Sequence, residues 1–101
     1  MAKAAEVALM KSLSLTKYLV RSGITFNTVA PCRVYIEGTG FEDEKNADPI
    51  AFQLMIDEEY PLGRMGRPDE VANVVSFLCS NLAALVNGAQ ITVDGGQIKA
   101  F

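Results

Sequence analysis

Hydrophobic residues near the start of the chain recur at helical spacing. Ala4, Ala5, Ala8, Leu9, Leu13, Leu15, Leu19 and Val20 share roughly half of a cylinder on which each residue turns by about 100°. Lys3, Glu6, Ser14, Lys17 and Arg21 collect on the opposite side. No Pro or Gly interrupts residues 2–21, so the pattern predicts one long helix. Lys17 and Arg21 suit its negative end, and Gly23 supplies the stop. The apolar arc is wide enough to face two neighbours at once.

Residues 24–29 then alternate apolar and polar side chains and are rich in β-branched types, which predicts a strand closed by Ala30 and Pro31. A helix, a glycine stop and a short strand make half of a βαβ unit, the signature of a parallel sheet. Residues 32–46 hold no period, and Glu42-Asp43-Glu44 breaks any core pattern, so a long mobile or ligand-dependent loop is expected. Residues 47–59 read as a second helix, with Asp48 as N-cap, Pro49 at its first position, and Ile50, Phe52 and Leu54 inward. Pro68-Asp69-Glu70 opens a third, whose Val71, Val74, Val75 and Leu78 share a face. Residues 89–93 form a last strand, and Asp94-Gly95-Gly96 turns the chain away. The fold class is α/β: two parallel strands with flanking helices. Parallel sheets normally have more strands and two covered faces, so the pattern reads as part of a larger fold.

Composition narrows the chemistry. The chain has 101 residues, half of them hydrophobic and 21% charged, which suits one folded domain and excludes a two-domain enzyme. A net charge of −3 argues against nucleic-acid and anionic-membrane partners. No apolar run approaches the ~18 residues of a membrane span, and the first residues do not resemble a cleavable signal, so a cytoplasmic protein is expected. There is no His, and the two cysteines, Cys32 and Cys79, have no metal or redox spacing. A metal site and a His-based triad are therefore not expected. Cys79 reads as a small core hydrophobe.

Four stretches resemble one family in order and spacing. They are Ala2-Lys3-Ala4-Ala5 opening a helix; Gly23-Ile24-Thr25-Phe26-Asn27-Thr28-Val29-Ala30-Pro31; the run from Pro61-Leu62-Gly63-Arg64 through Gly66-Arg67-Pro68 to Asp69-Glu70-Val71-Ala72; and Asn87-Gly88 with Asp94-Gly95-Gly96. Together they resemble the C-terminal half of a short-chain dehydrogenase/reductase, a Rossmann-type NAD(P)-dependent oxidoreductase. The resemblance covers nearly the whole chain and implies a single partial domain, residues 1–101, within a doubly wound fold. It implies a parent that interconverts a carbonyl and an alcohol with NAD or NADP, of the 3-oxoacyl-carrier-protein reductase type or a related small-alcohol or sugar dehydrogenase.

The same resemblance assigns roles by position. Lys3 matches the lysine that lowers the pKa of a catalytic tyrosine and contacts the cofactor ribose. That tyrosine would precede Met1, as would the glycine-rich phosphate loop, for no G-x-G-x-x-G occurs here. Judged by residue type alone, Lys3 is an ordinary solvated lysine. Pro31-Cys32-Arg33-Val34-Tyr35-Ile36 matches the family's P-G-x-V-x-T, so Pro31, Val34 and Ile36 are the candidate nicotinamide contacts. Two positions depart: Cys32 adds a side chain where the backbone nears the cofactor, and Ile36 removes a hydroxyl. The bland alternative is an ordinary strand-to-loop corner. Arg64 and Arg67 resemble structural arginines, Asp69 and Glu70 are helix-start charges, and residues 37–45 occupy the place of a substrate lid.

These readings lead to a fragment that is catalytically silent alone and binds no cofactor. Alternatives are a non-enzymatic oligomerising module, or a half-enzyme completed by a separate N-terminal Rossmann half. A homo-oligomer is expected, because the strand at 24–29 and the wide arc of the first helix lack neighbours.

Overall fold

The computed structural model describes residues 2–97. They form two compact units: residues 2–30 with 74–92, and residues 31–73 with 93–97.

The first unit opens with α1 (Ala2–Ser14) and α2 (Lys17–Arg21) in place of one long helix. The interruption is chemical. Ser14 Oγ donates to the Lys11 carbonyl at 2.6 Å, while the Leu15 and Thr16 amides bond three residues back, to Ser12 and Leu13. Hydroxyls that compete for backbone carbonyls weaken a helix interior. The Asn87 amide then donates to the Ser14 carbonyl at 2.7 Å, occupying the acceptor that a continuous helix would offer to Tyr18.

The strand also lies later than the alternation predicts. β1 is Thr28–Pro31, and residues 24–27 form no ladder. Two asparagine side chains bond with the backbone there instead. The Phe26 amide donates to Asn87 Oδ1 at 3.0 Å, and Asn27 donates to the Val86 carbonyl while accepting from the Ala89 amide. Backbone meets backbone on either side of Asn27, the Gly88 amide donating to the Phe26 carbonyl at 2.7 Å before the ladder begins. The Thr28 amide donates to Ala89 at 2.9 Å and the Cys32 amide to Val93 at 3.0 Å, an in-step register that makes β1 and β2 (Gln90–Val93) parallel. Among the described residues the sheet has two strands.

In the second unit, residues 32–46 are not one loop. α3 (Gly40–Ala47) begins after Thr39, with Glu42 and Asp43 in its first turn and Lys45 in its last. That charge order suits the helix dipole, so the acidic cluster which broke the core pattern helps to start a helix. α4 (Pro49–Glu59) begins as expected, Asp48 Oδ1 accepting from the Ala51 amide at 3.1 Å. Its inward face differs from the expectation. Ile50 and Leu54 are exposed, whereas Ile56 is buried and Phe52 and Met55 are partly covered. A core of Ile56, Tyr60 and Met65, with Tyr35 and Phe41 against it, decides which face turns in.

α5 (Pro68–Leu78) starts at Pro68 as predicted. Val71, Val74 and Leu78 are partly covered, but Val75 is exposed. Cys79 is exposed too, not a core residue. A short 3₁₀ turn, Asn81–Ala83, leads on toward β2.

Candidate functional site

The second unit builds its corner from residues 31–36 and from the loop that carries Gly66. Pro31 ends β1 and is exposed. Val34 forms a parallel bridge with Gly66, in which the Tyr35 amide donates to the Gly66 carbonyl at 2.8 Å. The Val34 amide and carbonyl are not partners in that bond. Ile36 follows with its side chain exposed and its carbonyl accepting from the Thr39 hydroxyl at 2.6 Å.

Gly66 is a glycine for a visible reason. A Cβ there would lie 3.0 Å from Cys32 Sγ, tighter than an ordinary contact. The thiol at the position where the family has glycine therefore packs on another glycine. The extra side chain is accommodated within this unit.

The loop carrying Gly66 is braced by charge. Arg64 holds Glu70 through two hydrogen bonds, Nη1 to Oε1 at 2.7 Å and Nη2 to Oε2 at 2.9 Å, and also reaches the Met65 carbonyl. Glu70 Oε1 accepts from the Arg67 amide at 3.0 Å, closing the start of α5 as half of a capping box. The Arg64 bonds first, then the Arg67 amide, lower the Glu70 pKa to about 2. Arg67 pairs with Asp69 at 3.2 Å. These arginines and carboxylates position a loop, in keeping with a structural role.

Beneath the corner is a cavity of about 290 Å³, bordered by Tyr35, Lys45, Phe52, Ile56, Arg64 and Met65. The Tyr35 and Phe52 rings meet edge to face with centroids 6.5 Å apart, and Lys45 Nζ lies 5.7 Å from the Tyr35 ring centre. Burial, then Glu42 and Glu37, raise the Tyr35 pKa, so its phenol stays protonated. Sequence reasoning missed this group, because with α3 read as loop Lys45 has no defined neighbour. The usable signal was Lys45 at the end of a run with acidic residues first. Nearby, Tyr60 is buried and its hydroxyl has no hydrogen-bond partner among the described residues. Burial pushes its pKa up, opposed chiefly by the charge of Arg33.

Of the residues singled out from sequence, the structure brings Pro31, Val34 and Ile36 together on one segment of the second unit. Lys3 belongs to the first unit, exposed on the first turn of α1.

The chain belongs to the short-chain dehydrogenase/reductase family: the family model described as enoyl-(acyl carrier protein) reductase matches residues 1–97. Its fold is the C-terminal portion of a Rossmann-type doubly wound α/β structure. The chain is 43% identical over 83 residues to 2,3-dihydroxy-2,3-dihydro-p-cumate dehydrogenase of Pseudomonas putida, covering 82% of this chain and 31% of that one. It is 40% identical over 84 residues to the 3-oxoacyl-(acyl-carrier-protein) reductase FabG of Aquifex aeolicus, covering 83% and 32%. Among solved structures, a short-chain oxidoreductase from Burkholderia thailandensis superposes with a TM-score of 0.79 at 32% identity, over 98% of this chain and 36% of that one. An NADPH-bound short-chain oxidoreductase from Pseudomonas aeruginosa gives 0.77 at 28% identity, over 99% and 38%. The chain thus spans about a third of the length of the curated relatives it matches.

Proposed function

We propose that these residues are one partial domain, the C-terminal part of an NAD(P)-dependent oxidoreductase that interconverts a carbonyl and an alcohol, of the 3-oxoacyl-carrier-protein reductase type. The observation that carries the reading is the corner at residues 31–36. It is bridged to Gly66 and takes up the Cys32 side chain within the same unit, which supports the reading. In this reading Pro31 and the Val34 backbone hold the nicotinamide carboxamide, and Ile36 lines the same edge without a hydroxyl. Lys3 touches the cofactor ribose and holds a neighbouring tyrosine's proton labile by stabilising the phenolate. The nicotinamide supplies the hydride when bound.

A polypeptide of these 101 residues has Lys3 without the tyrosine and the corner without a phosphate loop. Cofactor placement and proton transfer both need those parts. Pure chain mixed with NADH or NADPH and a panel of ketones should show no cofactor oxidation above buffer. Calorimetry should give no dissociation constant tighter than about 1 mM. Turnover at ordinary enzyme rates, or micromolar binding, would overturn the reading of the chain alone. Among the described residues no helix is long and apolar enough to cross a membrane, and the reading places the protein in the cytoplasm.

A second reading rests on the surface of the first unit. Leu15 is 71% and Leu85 97% exposed, with Leu9, Tyr18 and Leu82 also uncovered. Such residues are ready to meet a partner. A homo-oligomer through α1, or a separate N-terminal Rossmann half, would cover them, and no enzymatic role is required of the first.

A further inference from the structure

We infer that the cavity of the second unit is a binding site for a small apolar carboxylate, held between the Tyr35–Phe52 ring pair and the Lys45 ammonium. Its size, about 290 Å³, lies at the small end of ligand pockets and suits a monocyclic acid better than a dinucleotide. Buried Ile56 and Met65 form an apolar floor, and the edge-to-face rings form a wall on which a flat apolar body can lie.

The charge of the rim selects the ligand's sign. Lys45, Arg64 and Arg67 border the cavity; Glu42 and Glu37 are not among its lining residues, although their charges reach the Tyr35 phenol. Arg64 is committed to Glu70 and Arg67 to Asp69, so their charge is largely answered. Lys45 has no ion pair among the described residues and lies over the Tyr35 ring, its charge directed at this wall. On the same helix, Glu42 turns its carboxylate to the Gly38 amide. The Gln53 amide is likewise occupied, donating to Asp57 at 2.9 Å. One cation is left for an incoming anion. Lys45 falls within residues 37–45, which the oxidoreductase reading places at a substrate lid, so the ligand's role rests on that reading. The binding test needs no cofactor and no residue outside this unit, so its failure is distinguishable from failure of that reading.

The test is an amide-shift titration of the full chain by NMR with benzoate, and with benzamide as the uncharged equivalent. Benzoate should produce saturable shifts at Tyr35, Lys45 and Phe52, with a dissociation constant on the order of 1 mM for so few atoms. Benzamide should bind about three- to fivefold more weakly, the scale of one exposed charge pair. Lys45→Gln should weaken benzoate by the same factor, leave benzamide unchanged and keep the circular dichroism of the parent. Lys45→Arg should restore benzoate. Phe52→Leu, which keeps an apolar side chain, should weaken both ligands alike. The absence of saturable shifts, shifts centred elsewhere, equal binding of the two ligands, or benzoate binding indifferent to Lys45→Gln would each overturn the proposal.

Discussion

Replacing Asn87 with Ala tests how the first unit is held together. Asn87 Oδ1 accepts from the Phe26 amide at 3.0 Å, and its Nδ2 donates to the Ser14 carbonyl at 2.7 Å, beside the buried Ser14 side chain. One side chain therefore ties the end of α1 to the segment entering β1. Each such bond contributes about 0.5–1.5 kcal/mol net, and a stranded partly covered partner adds a penalty of about 1 kcal/mol. Asn87→Ala should thus cost about 2–3 kcal/mol. For a domain of this size that lowers the melting temperature by roughly 10–20 °C. Thermal unfolding followed by circular dichroism reads the change directly. Asn87→Asp sharpens the test: it keeps the acceptor for Phe26 but sets a carboxylate oxygen against the Ser14 carbonyl. It should be at least as harmful as Ala at neutral pH and recover in part when acid restores a donating hydroxyl. A drop for Asn87→Ala below about 4 °C, under 1 kcal/mol, would refute the reasoning.

Gly88 has φ +78°, and a Cβ on it would lie 2.6 Å from Ser14 Oγ, whereas Gly38, at φ +79°, has open space around it. Gly38→Ala should cost only the left-handed strain of about 1–2 kcal/mol, and Gly88→Ala clearly more, by urea unfolding; equal costs would remove the contact from the account. Glu70 has its pKa lowered from 4.5 to about 2 by Arg64 and the Arg67 amide, so its stabilisation is complete above 4.5 and is lost as pH falls toward 2. Stability measured across that window should fall less steeply in Glu70→Gln than in the parent; parallel curves would contradict the assignment. Leu9 and Leu15, 55% and 71% exposed, should support association, so the chain should sediment as a dimer or larger at micromolar concentration and Leu15→Lys should reduce it. A folded, strictly monomeric parent would end the oligomer reading.

The helix starts were legible because their signals are local: Asp48 before Pro49, and Pro68 followed by Asp69 and Glu70, act within a single turn. What sequence could not show was competition between distant residues. Nothing local reveals that Asn87 takes the Ser14 carbonyl and so helps end α1, or that Asn27 and Asn87 hold backbone that alternation assigned to a strand. The face of α4 failed for a related reason. Ile50, Phe52 and Leu54 are all apolar, and it is the position of Tyr60 and Met65 that turns Ile56 inward. Pro31, Val34 and Ile36 were singled out through the resemblance alone, since none bears titratable chemistry. Cys32 looked like an obstruction because its partner, Gly66, lies far along the chain.

The central claim is that this segment supplies working parts of a short-chain oxidoreductase, and a chimera tests it most directly. Residues 2–97 would replace the aligned third of the Aquifex aeolicus 3-oxoacyl-(acyl-carrier-protein) reductase, the rest of that protein being kept. The account predicts cofactor-dependent reduction of a 3-oxoacyl-carrier-protein substrate, lowered about 10²–10⁴-fold by Lys3→Ala. A folded chimera that binds the nicotinamide cofactor yet shows no turnover, or turns over equally well with Lys3→Ala, would contradict it.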